Sequence, residues 1–273
     1  MTDRYAVVGN PVAHSKSPLI HAEFAKHTGE SISYEKLHVE LPEFEAAVER
    51  FRAEGGCGVN VTVPFKHRAF ELASARSARA QHAGAVNTLK FEAGEIFGDN
   101  TDGIGLVRDL ECNLNCEIAG RRVLVMGAGG ASYGVCGPLL DQAPALLTIA
   151  NRTVDKAVEL AQRFAPSHPD VQVTGTGYAE LRGHDFDLII NATSASLAGD
   201  LPALPAGVFA SGALAYDMMY GKATPFLELA ASAGARTADG LGMLVEQAAE
   251  SFYVWRGVKP DTGPVIALLR ASV

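Results

Sequence analysis

The chain lacks the features that are typical of membrane-spanning, disulfide-rich and nucleic-acid-binding proteins. No apolar run approaches the roughly 20 residues that cross a bilayer. The cysteines form neither a metal-type CxxC pair nor a disulfide framework; they are Cys57, Cys112, Cys116 and Cys136. Acidic residues outnumber basic ones, 31 to 23, which argues against nucleic acid or an anionic membrane as the main partner. These absences favour an ordinary globular protein without a bound metal.

A signal peptide has a basic region followed by an apolar one, and the N-terminal sequence MTDRYAVVGNP lacks this order. Of the 273 residues, 48% are hydrophobic and 20% are charged, which is typical of one or two domains with full cores. We therefore expect a cytoplasmic protein of one or two globular domains.

Strand-like and helix-like segments alternate along the chain, which predicts α/β units with parallel sheets and crossover helices. In the first hundred residues we predict strands over 5–8, 33–39 and 58–63, helices over 17–26 and 43–53, and a hairpin over 87–99. A second unit begins near Gly120, with strands over 123–126, 146–150, 171–175, 187–191 and 213–217. Two helices follow, and the pattern alone leaves open which unit they pack on.

The second unit opens with a strand, a glycine-rich turn and a helix. Gly127 and Gly129 directly follow the apolar strand, and Ser132 occupies the third position of the pattern GxGxxG/A. Glycines there let the backbone approach a pyrophosphate, and the helix N-terminus faces its charge. The order predicts a dinucleotide site.

The end of the next strand indicates which dinucleotide binds. An NAD enzyme usually carries Asp or Glu there, whereas this chain has Asn151, Arg152 and Thr153, with Lys156 one short turn further on. Two cations and two neutral donors suit a 2′-phosphate. NADP is therefore favoured over NAD, the alternative being a solvated helix start with incidental basic residues.

Polar turns follow the strands of the first half, where open α/β sheets place ligands. Ser15 and Ser17 stand at a helix start and suit a small carboxylate, although for these serines alone simple N-capping is the better explanation. Because successive side chains of a strand point to opposite faces, Asn60 and Thr62 are expected on the same face. Lys66 begins a helix, an unfavourable place for a cation, and a carboxylate such as that of Asp102 could hold it there.

Nine motifs together resemble those of shikimate dehydrogenases, in family order over nearly the full length. They are GNPVAHSKSP, NVTVPFK, AGAVNT, GDNTDG, GAGGAS, NRT, NATS, YDMMY and DGLGMLVEQA. The family reduces 3-dehydroshikimate to shikimate with NADPH. The resemblance implies a substrate-binding catalytic domain over 1–103 plus 241–273 and a Rossmann-type NADP domain over 104–240, with the C-terminal helices returning to the first domain.

The resemblance also implies a role for individual residues. Lys66 and Asp102 would form the catalytic pair. Substrate would be bound by Ser15, Ser17, Thr62, Asn87, Tyr220 and Gln247. The cofactor would be bound by Gly127, Ala128, Gly129, Gly130, Ala131, Ser132, Asn151, Arg152, Thr153, Lys156, Met218 and Gly240.

Several positions depart from the usual family pattern. Tyr133 replaces a basic residue after the glycine turn, Ala78 replaces a carboxylate, and Ala195-Ser196 replaces the commoner Ser-Gly. These departures affect the expected cofactor affinity more than the chemistry. Two other functions are compatible with the chain: an NAD-using quinate/shikimate dehydrogenase, and a non-catalytic metabolite or dinucleotide sensor. Either a monomer or a homodimer fits the sequence.

Overall fold

A computed structural model describes residues 2–92, 94–193 and 204–272. The chain forms two compact units, which confirms the predicted two-domain α/β fold. The first unit comprises Met1–Gly105 and Leu244–Val273, and the second comprises Leu106–Met243. The two C-terminal helices therefore group with the first unit, apart from the opening residues of the longer one.

The first unit is built from short strands and helices that alternate along the chain. In order, its elements are β1 (Asp3–Gly9), α1 (Ser17–Thr28), β2 (Ile32–His38), a 3-10 turn (Leu41–Glu43), α2 (Phe44–Ala53), β3 (Gly56–Val61), α3 (Lys66–Leu72), β4 (Ala75–Arg76), α4 (Ala78–Ala83), β5 (Thr88–Glu92) and β6 (Glu95–Asp99). Helix α5 (Asp102–Arg108) runs across the unit boundary, and so does α9 (Leu241–Arg256), which is followed by α10 (Gly263–Arg270).

The strands of the first unit form one mixed sheet in the order β2-β1-β3-β5-β6-β4. Strands β1, β2 and β3 are parallel, whereas β5 pairs antiparallel with both β3 and β6. The carboxyl ends of β1, β3 and β6 and the amino end of β5 therefore lie at one edge, which we call the polar edge. The polar turns that follow β1, β3 and β6 therefore meet there.

The predicted hairpin over 87–99 is confirmed as β5 and β6, and it pairs antiparallel beside β3, so the sheet is mixed. One sequence expectation is corrected here, because the predicted strand over 58–63 ends at Val61. The Thr62 carbonyl accepts a hydrogen bond from the Phe65 amide at 3.0 Å, which closes a turn and leaves Val63 62% exposed.

The C-terminal helix α9 is fastened to the first sheet by aromatic packing. The Trp255 indole donates to the Leu89 carbonyl at 3.0 Å and stacks on the Tyr5 ring at 4.5 Å between centroids. His21 stacks on Tyr34 at 4.3 Å in the same cluster. Complete burial lowers the pKa of His21 to about 3, so the ring is neutral and adds no charge beside the sheet.

A buried ion-pair cluster supports the end of β6 that leads to Asp102. Arg79 Nε donates to Asp99 Oδ1 at 2.7 Å, and Arg79 Nη2 contacts Glu250 Oε1 at 2.9 Å. Burial on its own raises the pKa of Asp99, but the hydrogen bonds and charge of Arg79, with a hydrogen bond from Ser77, hold that pKa below its usual range. The Asp99 carboxylate therefore stabilises the fold when it is ionised.

Replacing Arg79 with alanine is expected to lower the free energy of unfolding by about 3 kcal/mol at neutral pH, because it leaves two buried carboxylates without their cation. The loss should shrink only in strongly acidic buffer, below the usual carboxyl pKa, since a depressed pKa stabilises the fold above that value and the contribution disappears as Asp99 is protonated. Urea denaturation at two pH values measures both effects. An equal loss at both would contradict the assigned charge pairing.

The second unit has the strand order of a doubly wound dinucleotide-binding domain. Its strands lie in the order β12-β11-β10-β7-β8-β9, and all the described pairs are parallel. Its elements after α5 are a π-helical turn (Asp109–Asn113), β7 (Arg122–Met126), α6 (Gly130–Leu140), β8 (Leu146–Ala150), α7 (Val154–Phe164), β9 (Gln172–Thr176), β10 (Phe186–Asn191), β11 (Phe209–Asp217), α8 (Pro225–Ser232) and β12 (Arg236–Asp239).

The chain order reverses between β7 and β10, and ligands bind such sheets where the carboxyl ends of those two strands meet. The predicted strand over 213–217 is the second half of a longer strand that starts at Phe209. A register irregularity opposite Phe186–Leu188 separates its two halves. The first half was not predicted as a strand because it contains small residues, including Gly212.

Candidate active site

Lys66 and Asp102 form an ion pair at the polar edge of the first sheet. Lys66 is the first residue of α3 and Asp102 the first residue of α5, and Lys66 Nζ lies 2.5 Å from Asp102 Oδ2. The side chains are 31% and 14% exposed, so the pair is shielded but open on one side. The carboxylate offsets the unfavourable position of a cation at a helix N-terminus.

Asn87 holds the second oxygen of Asp102. Asn87 Nδ2 donates to Asp102 Oδ1 at 2.8 Å, and Asn87 Oδ1 accepts from the Thr101 backbone amide at 2.9 Å. A carboxylate only accepts and a backbone amide only donates. These two partners therefore fix the orientation of the Asn87 side-chain amide, with its NH₂ group toward Asp102 and its oxygen toward Thr101. Gln247 Oε1 lies 3.5 Å from Asn87 Nδ2. The structure therefore brings four of the predicted site residues together in one group, namely Lys66, Asp102, Asn87 and Gln247.

Ser15 and Ser17 adjoin one another where α1 begins. Ser15 Oγ donates to Ser17 Oγ at 3.2 Å and accepts from the Ser17 amide at 3.3 Å. Burial raises the pKa of Tyr34 well above its usual range, and a hydrogen bond from Ser17 opposes the rise. Tyr34 in turn donates to Asn60 Oδ1 at 2.7 Å. Ser15 thus caps the first turn of the helix in part, while Ser17 belongs to a wider polar network.

That network contains buried residues that the sequence did not single out as site residues. Asn60 was noted only because alternation placed it on the same side of the strand as Thr62. Asn60 Nδ2 donates to the Asn87 carbonyl at 3.2 Å and to Ser251 Oγ at 3.0 Å. Thr62 itself lies in the turn between β3 and α3. The other members are Tyr34, Thr88, Thr101 and Ser251.

In the second unit the glycine turn leaves open space above the start of α6. Gly127 has φ +101°, a backbone conformation that favours glycine, and its amide donates to the Ala150 carbonyl at 2.8 Å. Among the described residues, apart from the chain neighbours and the nearby backbone of the helix itself, no heavy atom lies within 4 Å of where a Cβ would stand on Gly129 or Gly130. The helix start has no side-chain cap. Open space and uncapped amides fit a pyrophosphate.

The remaining residues of this turn hold its shape. The fully buried Ser132 donates from Oγ to the Gly127 carbonyl at 2.8 Å, which ties the first turn of α6 to the end of β7. Ala128 packs against the core of the unit, and Ala131 lies in the first turn of the helix. The span from Gly127 to Ser132 is thus fixed at both ends.

The predicted phosphate-binding residues lie together at the carboxyl end of β8. Asn151 Nδ2 donates to the Thr153 carbonyl at 2.9 Å, which shapes the turn into α7. Arg152, Thr153 and Lys156 are exposed. Neither Arg152 nor Lys156 joins an ion pair in the described part of the chain. Two free cations at this strand end suit a 2′-phosphate.

Met218 and Gly240 are in direct contact at the carboxyl ends of β11 and β12. A Cβ on Gly240 would stand 2.3 Å from the Met218 carbonyl oxygen, so only glycine fits there. Tyr220 follows on the same loop, and burial raises its pKa. The structure therefore brings together two of the predicted cofactor-binding residues, Met218 and Gly240, and Tyr220 follows on the loop that begins at Met218.

Models of shikimate dehydrogenase domains match most of the chain. The shikimate dehydrogenase substrate binding domain matches residues 7–89, the shikimate / quinate 5-dehydrogenase model matches residues 110–198, and the shikimate 5'-dehydrogenase C-terminal domain matches residues 240–270. The shikimate dehydrogenase (NADP(+)) of Nitrosospira multiformis is 59% identical over 275 residues, covering 100% of this chain and 99% of the relative. The chain belongs to the shikimate dehydrogenase family.

Solved structures agree with this family membership. An Ael1 enzyme from Pseudomonas putida has a TM-score of 0.93 at 53% identity, covering 98% of each chain. The shikimate 5-dehydrogenase of Thermus thermophilus, solved in complex with NADP(H) and shikimate, has a TM-score of 0.88 at 33% identity, covering 100% of each chain. No helix in the described part of this shikimate dehydrogenase family member is long and apolar enough to cross a membrane.

The two described departures from the family pattern, Tyr133 and Ala78, fall on helix starts. Tyr133 lies in the first turn of α6, and the Arg163 guanidinium lies 5.5 Å from its ring centroid. A cation from α7 therefore lies near the position where the family usually has a basic residue. Ala78 is the exposed first residue of α4. Ala195 and Ser196 lie outside the described residues.

Buried Asp217 organises the loop that carries Met218 and Tyr220. Asp217 Oδ2 accepts from Thr224 Oγ1 at 2.7 Å and from Asn191 Nδ2 at 3.1 Å, while Oδ1 accepts from the Met219 amide at 3.0 Å. The carboxylate thereby joins the end of β10 to both ends of the loop.

Replacing Asp217 with asparagine is expected to lower the free energy of unfolding by about 2 kcal/mol. Either orientation of the new amide turns its NH₂ group toward a donor, because both carboxylate oxygens accept in the native structure. Urea denaturation measures the loss, with the exposed Asp155→Asn as the matched control. A variant as stable as the parent would refute this role for Asp217.

Proposed function

We propose that the chain catalyses the reversible NADP-dependent reduction of 3-dehydroshikimate to shikimate, as an oxidoreductase of aromatic amino-acid biosynthesis acting in the cytoplasm. The observation that carries the proposal is the hydrogen-bonded group of Lys66, Asp102 and Asn87 at the polar edge. It combines a proton donor, a carboxylate that orients it and an amide fixed in one orientation. These three residues belong to the first unit of one chain, so a monomer suffices for the group, and a homodimer is equally compatible.

The polar edge offers groups suited to every substituent of a hydroxylated cyclohexene carboxylate. The paired hydroxyls of Ser15 and Ser17 would bind the carboxylate. Thr62, Asn87 and Gln247 would bond to the ring hydroxyls, and Tyr220 is proposed as a further substrate-binding residue on the strength of the family resemblance. In this proposal the first unit is the substrate domain, and the second unit is the NADP domain.

Lys66 would move the proton at the reacting oxygen. When bound, NADPH supplies the hydride that adds to the ketone carbon of the substrate. The ketone oxygen gains negative charge as that bond forms, and Lys66 Nζ donates a proton to it. In the oxidation direction the same nitrogen removes the hydroxyl proton. Asp102 holds the ammonium group through one oxygen, and Asn87 fixes the other.

The second unit would bind the cofactor through backbone and cationic groups. The turn from Gly127 through Ser132, with the uncapped amides at the start of α6, would hold the pyrophosphate. Arg152 and Lys156, with Asn151 and Thr153, would bind the 2′-phosphate of the adenosine. Met218 and Gly240 would line the nicotinamide position. The two exposed cations favour NADP over NAD.

An absorbance assay with a panel of substrates tests the function. We expect shikimate to reduce NADP with growth of the NADPH absorbance band, and quinate or NAD to support a much lower rate. Faster turnover with quinate and NAD would support the alternative dehydrogenase. No change with any pair at high enzyme concentration, together with saturable shikimate binding, would support the sensor and overturn the proposal.

A further inference from the structure

A single buried hydroxyl on α9 joins the backbone elements that carry the candidate catalytic residues. Ser251 is 0% exposed. Its Oγ lies 2.8 Å from Thr88 Oγ1, 3.0 Å from Asn60 Nδ2 and 3.2 Å from Thr101 Oγ1, and it donates to the Gln247 carbonyl at 3.0 Å. The four partners come from β3, β5, the turn before α5, and α9 itself.

The chemistry of these partners fixes the direction of the bonds. A hydroxyl has one proton and two lone pairs. The Gln247 carbonyl only accepts, so it takes the Ser251 proton, and the Asn60 amide only donates, so it occupies one lone pair. Thr88 or Thr101 fills the second lone pair. Ser251 is thus fully satisfied, and every bond it makes reaches a different element.

Each of these bonds ends next to a residue of the candidate site. Thr88 directly follows Asn87, and Thr101 directly precedes Asp102. Asn60 Nδ2 also donates to the Asn87 carbonyl at 3.2 Å. Gln247, whose carbonyl accepts from Ser251, carries the side-chain amide near Asn87 Nδ2. The positions of Asn87 and Gln247 therefore both depend on this hydroxyl.

We propose that Ser251 is a positioning residue for substrate recognition. It holds the Asn87 and Gln247 side chains at the spacing that the ring hydroxyls of the substrate require. Ser251 does not contact the Lys66–Asp102 pair, and it lies in the first unit, whereas the candidate cofactor residues lie in the second. Its loss should therefore weaken substrate binding while NADP binding stays unchanged. This inference rests on the proposed function.

Replacing Ser251 with alanine is expected to raise KM for shikimate about tenfold, because a buried hydrogen-bonded hydroxyl is lost and its partners rearrange. We expect kcat to fall by less than about threefold and the NADP dissociation constant to stay constant. Steady-state kinetics measure the first two quantities, and calorimetric titration measures the third. Ser251→Cys fills the same space with a poor hydrogen-bonding atom, so it should raise KM similarly even if the alanine variant folds poorly.

Ser74 provides a control serine outside the site. Ser74 Oγ makes two hydrogen bonds, donating to the Ile96 carbonyl at 3.2 Å and accepting from the Ile96 amide at 3.0 Å, at the opposite end of β6 from the site. Ser74→Ala should lose stability without a change in KM. An unchanged KM in both Ser251 variants, or an equal rise in Ser74→Ala, would overturn the proposal. A native enzyme inactive with shikimate would instead refute the proposed function, and this inference with it.

Discussion

Replacing Lys66 with alanine is expected to lower kcat for shikimate oxidation about a thousandfold, while NADP binds as tightly as before. Lys66 Nζ is held 2.5 Å from Asp102 Oδ2, where it can donate to or accept from the reacting oxygen. Positioned acid–base groups contribute roughly 10²–10⁴-fold to rates, and alanine removes both the proton and the positive charge. Steady-state kinetics measure the loss, and calorimetric titration measures NADP binding.

Lys90→Ala is the matched control for this prediction. Lys90 belongs to the same unit and pairs with Glu92 on β5, so its loss removes one positive charge and one ion pair without altering the polar edge. We expect near-native kcat in this variant. Near-native kcat in Lys66→Ala would show that another group handles the proton and would refute the assigned role.

Replacing Arg152 with alanine is expected to raise KM for NADP by about ten- to a hundredfold, with little effect on KM for NAD. A charged hydrogen bond to phosphate is worth roughly 1.5–3 kcal/mol, and 1.4 kcal/mol corresponds to a tenfold change in affinity. NAD has no 2′-phosphate, so the arginine contributes little to its binding. Initial rates at varied concentrations of each cofactor measure the change.

The exposed Arg182 offers a control with the same change of charge. Arg182 lies in the loop before β10, away from the end of β8. Arg182→Ala should leave both KM values unchanged. Equal rises in KM for NADP and NAD in Arg152→Ala would indicate that Arg152 contacts a part common to both cofactors, and the proposed preference for NADP would lose its main support.

Local patterns predicted the second unit well because its chemistry is encoded in short segments. A parallel strand buried on both faces appears as an uninterrupted apolar run, and the predicted strand over 146–150 coincides with β8. The glycine turn and the polar end of β8 are likewise contiguous in sequence. The structure adds to them mainly the open space over Gly129 and the exposed side chains of Arg152 and Lys156.

The network behind Asn87 could not be predicted in the same way. Asn60 and Ser251 are 191 positions apart and carry residue types that usually face solvent, so no periodicity links them. Their contact depends on the predicted hairpin inserting beside β3, a position that the sequence did not predict, and on α9 packing back on the first sheet. The sequence signal for Ser251 is a serine inside the apolar face of a helix. Such a serine resembles an ordinary small core residue, so it did not indicate a buried polar network.

Transfer of deuterium from the cofactor tests the central claim most directly. The protein is mixed with 3-dehydroshikimate and NADPH that carries deuterium at both C4 positions, and the product is examined by mass spectrometry. We predict shikimate that carries one deuterium on the carbon bearing the new hydroxyl, with incorporation about a thousandfold slower in Lys66→Ala. Shikimate without deuterium, or no product at high enzyme concentration, would contradict the account.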